Sequence, residues 1–320
     1  MNYYPLKFKP VYKDYPWGNR RLPALFDRDE PDGIYAESWE ISTHRDGESV
    51  VVNGELAGKT LSEVLAVSGK DILGDGVEGD DFPLLIKLID AAKPLSVQVH
   101  PNNGNAEAVQ GEPKTEMWYF LNEKPSQIFC GLKPGTTRED FVQAIEKESF
   151  DEILRVVPAE KGGAAFVPGG RVHAIDAGCL ILEIQQNSNT TYRVYDWGRV
   201  GNDGNPRELH IEKALQVIDF DDAASPVCEP KVTAAGVRKI CASDFFQLDE
   251  LSVAEEMEQI ADGLSFHALF SADGGFDIHY GDGQVEPVSK GESVLVPAAM
   301  GPYILKAREK IVVLKTTVPA

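Results

Sequence analysis

GGAAFVPGGRVHAI, Gly162 to Ile175, has a partner further along the chain in GESVLVP, Gly291 to Pro297. Both begin with glycine, run through a short apolar segment and end in proline, and Pro168 and Pro297 stand 129 residues apart. A glycine to turn, an alternating apolar run and a proline to stop read as a short β-strand between two turns. Its recurrence at one long interval implies two structurally similar units. Only the first copy continues to a histidine, His173; the second has Pro302 and Tyr303 there. A shared strand with an imidazole in one copy alone points to chemistry, because packing would need the residue in both.

Working outward, three further stretches alternate in the same way. In PLSVQVHPNN, Pro94 to Asn103, the residues Ser96, Gln98 and His100 fall on one face and Leu95, Val97 and Val99 on the other. In KTEMWYFL, Glu116, Trp118 and Phe120 share a face, and in CLILEIQQ so do Cys179, Ile181, Glu183 and Gln185. Lys87 interrupts the apolar run LLIKLI, where a lysine is costly unless it faces an edge, a wet cavity or an anion. TYRVYDWGR sets Arg193 and Arg199 among aromatics, a pattern suited to clamping a phosphate or carboxylate. Trp17 and Gly18 are expected on a tight, partly exposed turn.

The chain is mainly β, with helical excursions expected at 60–73, 136–156 and 208–220. Thr60 and Glu63 have capping-box spacing, and Gly69 is expected to break that first helix. Residues 82–101 are expected to hold two strands around Asp90-Ala-Ala, and short strands return beyond Pro230. The expected units are 1–225, carrying the site, and 226–320.

Composition narrows the function. The chain has 320 residues, 31 Lys+Arg against 51 Asp+Glu, and a net charge of -20. Nucleic acid and anionic membrane would both be repelled, although a local cationic cluster can still hold a small anion. The N-terminus lacks a signal-peptide pattern and no stretch reaches the ~18 apolar residues of a membrane span. A soluble, cytoplasmic protein is therefore expected. Cys130, Cys179, Cys228 and Cys241 are widely spaced without a CxxC pair, so reduced, packed thiols are expected.

Gly162-x5-Pro168-x-Gly170-x2-His173 resembles the second signature of the cupin superfamily, and Gln98-x-His100 with Glu116 resembles an altered first signature. More narrowly, SVQVHPN, KTEMWY, VPGGRVHAI and EIQQNSNTTYRVYDWGR resemble the short bacterial form of type I phosphomannose isomerase. The resemblance implies two cupin (jelly-roll β-barrel) domains, the second lacking a metal site, and one Zn²⁺ per chain on Gln98, His100, Glu116 and His173. It implies interconversion of mannose 6-phosphate and fructose 6-phosphate through a cis-enediol. Lys114 is then the candidate for proton transfer, Arg193 and Lys87 for enediolate or phosphate stabilisation, and Glu183 for orienting Arg193 or a hydroxyl. Trp17, Ser96, Lys87 and Arg193 would contact substrate. Asn189 stands where some longer members have an acidic residue. The resemblance leaves monomer and homodimer both open. An iron-dependent dioxygenase and a non-catalytic sugar-binding cupin are the alternatives; Gln98 in place of a first histidine argues against the former. His44, His210, His267 and His279 match no ligand position and are expected at the surface or in packing.

Overall fold

The computed structural model describes residues 3–201 and 204–319. Four antiparallel sheets account for the strands. The first has six, in the order Ala164–Val167, Glu116–Phe120, Leu180–Gln186, Leu84–Asp90, Glu37–Ile41 and Val11–Lys13. The second has five, in the order Tyr192–Tyr195, Val97–Val99, His173–Ile175, Ser126–Leu132 and Leu154–Ala159. Their facing sides share a core that includes Ile89, Trp118, Phe120 and Ile181 from one and Ile128, Cys130 and Ile175 from the other.

The third sheet has eight strands and crosses the expected boundary at 225. It runs Lys231–Ala234, Val237–Ala242, Gln247–Val253, Ile311–Thr317, His267–Ser271, Ser293–Val296, and then two N-terminal strands, Leu6–Lys9 and Val50–Val51. Leu6 lies opposite Leu295, so the start of the chain is hydrogen-bonded into the C-terminal half. The fourth sheet, Glu256–Ala261, Gly301–Ala307, Phe276–Tyr280 and Gln284–Val288, closes over the inner face of the third around Leu251, Ile278, Leu305 and Val313.

The six-stranded sheet is buried on both faces, which is why its central strand Leu84–Asp90 is buried at every residue. Lys87, Ile89, Trp118 and Glu183 face the five-stranded sheet, while Ile86, Leu88, Met117, Leu182 and Ile184 face the eight-stranded one. Alternation therefore sorts residues between two cores rather than between core and water. The outer face of the five-stranded sheet is covered by the helices Arg138–Lys147 and Ile211–Val217, which contribute Phe141, Ala214 and Val217 to a further core.

Several expectations need adjustment. Leu61–Leu73 is helical with the Thr60–Glu63 capping box formed, but Gly69 does not break it. The kink is at Ser68 (φ -138°, ψ 31°), and the helix resumes to Leu73. The helix expected over 136–156 ends at Lys147, where Glu148 takes a left-handed cap, and Leu154–Ala159 is a strand. That expected over 208–220 spans only Ile211–Val217. Leu84–Asp90 and Val97–Val99 are both strands but belong to different sheets. Trp17 is buried rather than partly exposed. The cysteines are free, as expected, three of them buried.

Candidate functional site

A cavity of about 250 Å³ opens between the six- and five-stranded sheets. The end that could hold a metal ion is built by three strands. Glu116 starts one, His173 starts another directly opposite Gln98, and His100 follows the strand that carries Gln98. The period-2 rule puts Gln98 and Ser96 on the cavity wall with Leu95 at its edge. His100, Glu116 and His173 are all buried, and one ligand atom of each lies within 4.8 Å of the others. Glu116 Oε1 is 3.3 Å from His173 Nε2, and Glu116 Oε2 is 3.5 Å from His100 Nε2.

These groups fit a metal ion. His173 Nδ1 is 2.9 Å from the Arg171 carbonyl, which fixes the ring and leaves Nε2 facing the cluster without a hydrogen-bond partner among the described residues. Burial pushes the His173 imidazole down to about 3. Burial, assisted by the Lys114 charge, holds His100 well below its ordinary value. Both are therefore neutral at physiological pH, the state that ligates a cation. Two imidazoles, a carboxylate and the neighbouring Gln98 amide form a set of N and O donors that suits a divalent transition ion.

Beyond the cluster the charges alternate. Lys114 Nζ is 3.0 Å from Glu116 Oε2, 3.2 Å from His100 Nε2 and 3.7 Å from Glu183 Oε1. Lys87 Nζ is 3.3 Å from Glu183 Oε1 and 3.4 Å from Glu37 Oε1. Burial works against the Lys87 charge, yet Glu183, Glu37 and Glu116 outweigh it and Lys87 titrates above its ordinary value. Burial, then the charge of Glu116, raises the Glu183 carboxyl. Trp118 Nε1 donates to Glu183 Oε2 at 3.2 Å and Trp39 Nε1 to Glu37 Oε2 at 2.7 Å, which holds both carboxylates in place.

Trp17, stacked on Tyr15 at 5.6 Å, and Arg193 also line the cavity. Arg193 Nη1 donates to the Glu208 carbonyl at 2.9 Å, while its buried Nε has no partner among the described residues. Burial, then the Arg207 charge, lowers the Arg193 guanidinium from its ordinary value. Arg207 also lines the cavity and is gripped by Asp196 through both carboxylate oxygens, at 2.7 and 2.5 Å. Arg199 lies outside the lining residues, tied to Asp196 and the Pro94 carbonyl.

The fold thus gathers Trp17, Lys87, Ser96, Gln98, Lys114, Glu116, Glu183 and Arg193 along one cavity, with His100 and His173 directly behind Glu116. Glu183 contacts Lys87, Lys114 and Trp118 rather than Arg193. Asn189 is at the rim and binds Asp46. Sequence reasoning misses Glu37, Tyr15 and Arg207. Glu37 could have been found from the same alternation in ESWEIS; Arg207 sits in a loop where no periodicity applies. His44 is buried against Trp39 and close to Glu112, a packing role.

Two facing antiparallel sheets around a buried His–Glu–His cluster define a cupin-type fold with a potential metal centre opening onto a charged cavity. The family "Phosphomannose isomerase type I, catalytic domain" matches residues 6–130. The mannose-6-phosphate isomerase ManA of Bacillus subtilis is 45% identical over 218 residues, 67% of this chain and 68% of its own. A mannose-6-phosphate isomerase of Streptococcus mutans is 40% identical over 211 residues, 65% of this chain and 66% of its own. The crystal structure of a mannose 6-phosphate isomerase from Bacillus subtilis superposes with a TM-score of 0.89 at 31% identity, covering 98% of this chain and 99% of that one. The chain belongs to the type I phosphomannose isomerases and is an enzyme of this type.

Proposed function

We propose that the chain interconverts mannose 6-phosphate and fructose 6-phosphate through a cis-enediol, with one Zn²⁺ held by Gln98, His100, Glu116 and His173. The observation that carries this reading is the junction of the buried His100–Glu116–His173 cluster with a cavity walled by Lys87, Lys114 and Arg193. A bound divalent ion supplies Lewis-acid polarisation of the substrate oxygens and offsets the negative charge that develops on them.

The remaining roles fall to the chain. The reaction moves a proton from C2 to C1 of the aldose, with the hydroxyl and carbonyl oxygens exchanging a proton in step. Lys114 and Glu183, 3.7 Å apart, form the proton-transfer pair. A carboxyl raised by burial and by Glu116 is a stronger base than an exposed one, and the adjacent Lys114 side chain is a hydrogen-bond donor beside it. Lys87 stays cationic and stabilises enediolate charge. Arg193, with an unused Nε, takes the phosphate, and Trp17 and Ser96 line the sugar's path. Residues 1–225 form the catalytic unit and 226–320 a second unit that supports it. No described helix is long and apolar enough to cross a membrane; we assign the enzyme to the cytoplasm, where sugar phosphates are made and used.

The test is turnover of mannose 6-phosphate before chelation, after it, and after Zn²⁺ is restored. Activity should vanish and return. Persistent turnover with no metal bound would remove the ion from the reaction, and no turnover with metal confirmed would mean that the substrate is wrong. Glu183→Gln and Lys114→Met should still bind sugar phosphate but lose exchange of the C2 hydrogen with solvent.

A further inference from the structure

The strand Tyr192–Tyr195 has a neighbour that belongs to no sheet. The His210 backbone N–H donates to the Arg193 carbonyl at 2.7 Å, and the Arg193 N–H donates back to His210 Nδ1 at 3.3 Å. Three residues further along, the Asp196 carboxylate accepts from both Nε and Nη2 of Arg207, at 2.7 and 2.5 Å. The pairs 193–210 and 196–207 share one register. The segment from Arg207 to His210 therefore runs antiparallel to the strand and its continuation.

Each end of that pairing brings an arginine to the cavity wall. Arg193 commits Nη1 to the Glu208 carbonyl at 2.9 Å, and Arg207 commits Nε and Nη2 to Asp196. Nη2 of Arg193 and Nη1 of Arg207 have no hydrogen-bond partner among the described residues, and both side chains line the cavity. The two charges act on one another: after burial, that of Arg207 does most to lower the Arg193 guanidinium. Arg199 adds a third cation, 3.1 Å from Asp196. Three guanidiniums against one carboxylate leave two positive charges in excess, in a chain whose net charge is -20. The Glu208 carboxylate is largely exposed and lies towards His210, so it does little to offset them.

We propose that Arg207 is a second phosphate-binding residue, gripping the sugar phosphate together with Arg193, and that Asp196 positions it by holding Nε and Nη2 so that Nη1 stays free for the ligand. A purely structural Arg207–Asp196 pair would need neither a place on the cavity wall nor a position where its charge opposes that of Arg193. A carboxylate ligand would balance one of the two surplus charges. A phosphate monoester dianion balances both and has oxygens enough to accept from the two arginines at once. The inference rests on the phosphorylated substrate of the isomerase reading and adds to it a residue that fixes the demand for the phosphate.

The experiment is calorimetric titration of the full chain with mannitol 1-phosphate, an open-chain sugar phosphate that cannot isomerise, beside turnover of mannose 6-phosphate, with metal content and circular dichroism matched across variants. Arg207→Met should weaken mannitol 1-phosphate binding roughly tenfold, the worth of a charge-assisted hydrogen bond. It should raise KM for mannose 6-phosphate by a similar factor, with a much smaller change in kcat. Arg207→Lys keeps the charge but not the fork that Asp196 holds, and should recover only part of the loss. Asp196→Asn removes a competing negative charge, yet it too should weaken binding because it loosens Arg207; tighter binding would overturn the positioning role. Wild-type affinity in both Arg207 variants, with binding lost in Arg193→Ala, would overturn the proposal and leave the isomerase reading intact. Binding of mannitol 1-phosphate that depends on Arg207, in a wild-type chain that does not turn over mannose 6-phosphate, would support the phosphate site and overturn the isomerase reading instead.

Discussion

A lysine in the middle of LLIKLI would cost several kcal/mol if it were merely buried. Glu37 and Glu183 flank Lys87 at 3.4 and 3.3 Å, and with them the burial becomes a fixed positive charge in a cavity wall. Arg193 uses the opposite device, since it keeps a buried Nε unspent. A lysine there would retain the charge but lose the planar fork. Arg193→Lys should therefore lower kcat/KM for mannose 6-phosphate by roughly 10- to 100-fold, the worth of a charge-assisted hydrogen bond, with the loss mainly in KM if the arginine holds phosphate. A second prediction concerns His267, which burial depresses to about 4 and which is faced by Tyr303, Lys315 and Asp262. Because the folded value lies below the unfolded one, the unfolded chain binds the extra proton. The stability that the neutral ring contributes is complete above about pH 6.5 and is lost as pH falls towards 4. At pH 5 the loss is about 2 kcal/mol. His267→Gln, which can still bond Tyr303, should flatten that part of the denaturation midpoint against pH; an unchanged profile would show that His267 is not the group responsible.

The repeated strand shows how a single element serves two environments. Gly162 and Gly291 open it with the same left-handed backbone, φ 80° and 77°, which is the conformational reason the repeat could be read from sequence. Their surroundings differ. A Cβ on Gly162 would meet nothing closer than Tyr119 Oη at 3.7 Å, whereas one on Gly291 would meet Phe26 Cδ1 at 2.1 Å. Gly162→Ala should cost about 1–2 kcal/mol, the strain of the backbone alone. Gly291→Ala should cost about 1–3 kcal/mol more, because Phe26 must move. Urea unfolding of both variants checks the order, and equal costs would mean that Phe26 yields freely. Alternation made Gln98, Glu116, Lys87 and Glu183 legible, since a strand with polar residues every second position marks one wall. It could not reveal that both walls of the six-stranded sheet are buried, because apolar residues on either face look alike in sequence. It also could not reveal Arg207, which reaches the cavity from a loop.

At the scale of the molecule the halves are joined by more than a connector. Leu6–Lys9 is a strand of the C-terminal sheet, pairing with Ser293–Val296. One continuous core holds Leu6, Phe8, Met117 and Leu182 together with Phe246, Leu248, Phe270 and Leu295. Tyr119 Oη donates to Glu250 Oε2 at 2.8 Å across the same contact, and Arg238 binds that carboxylate from the other side. A chain ending at residue 225 would keep every residue of the catalytic cavity yet expose this whole face. Met117, Tyr119, Leu182 and Ile184 lie on the strands whose opposite sides carry Glu116, Trp118 and Glu183, so the His100–Glu116–His173 cluster rests directly on the core that truncation exposes. Apolar area of that kind drives aggregation when left in water. The truncated chain should therefore be insoluble or lose its near-ultraviolet circular dichroism, with no sugar-phosphate turnover, and adding residues 226–320 as a separate chain should restore solubility if they supply the missing sheet. A soluble, active 1–225 would show instead that the six-stranded sheet holds its inner face in shape without support from behind.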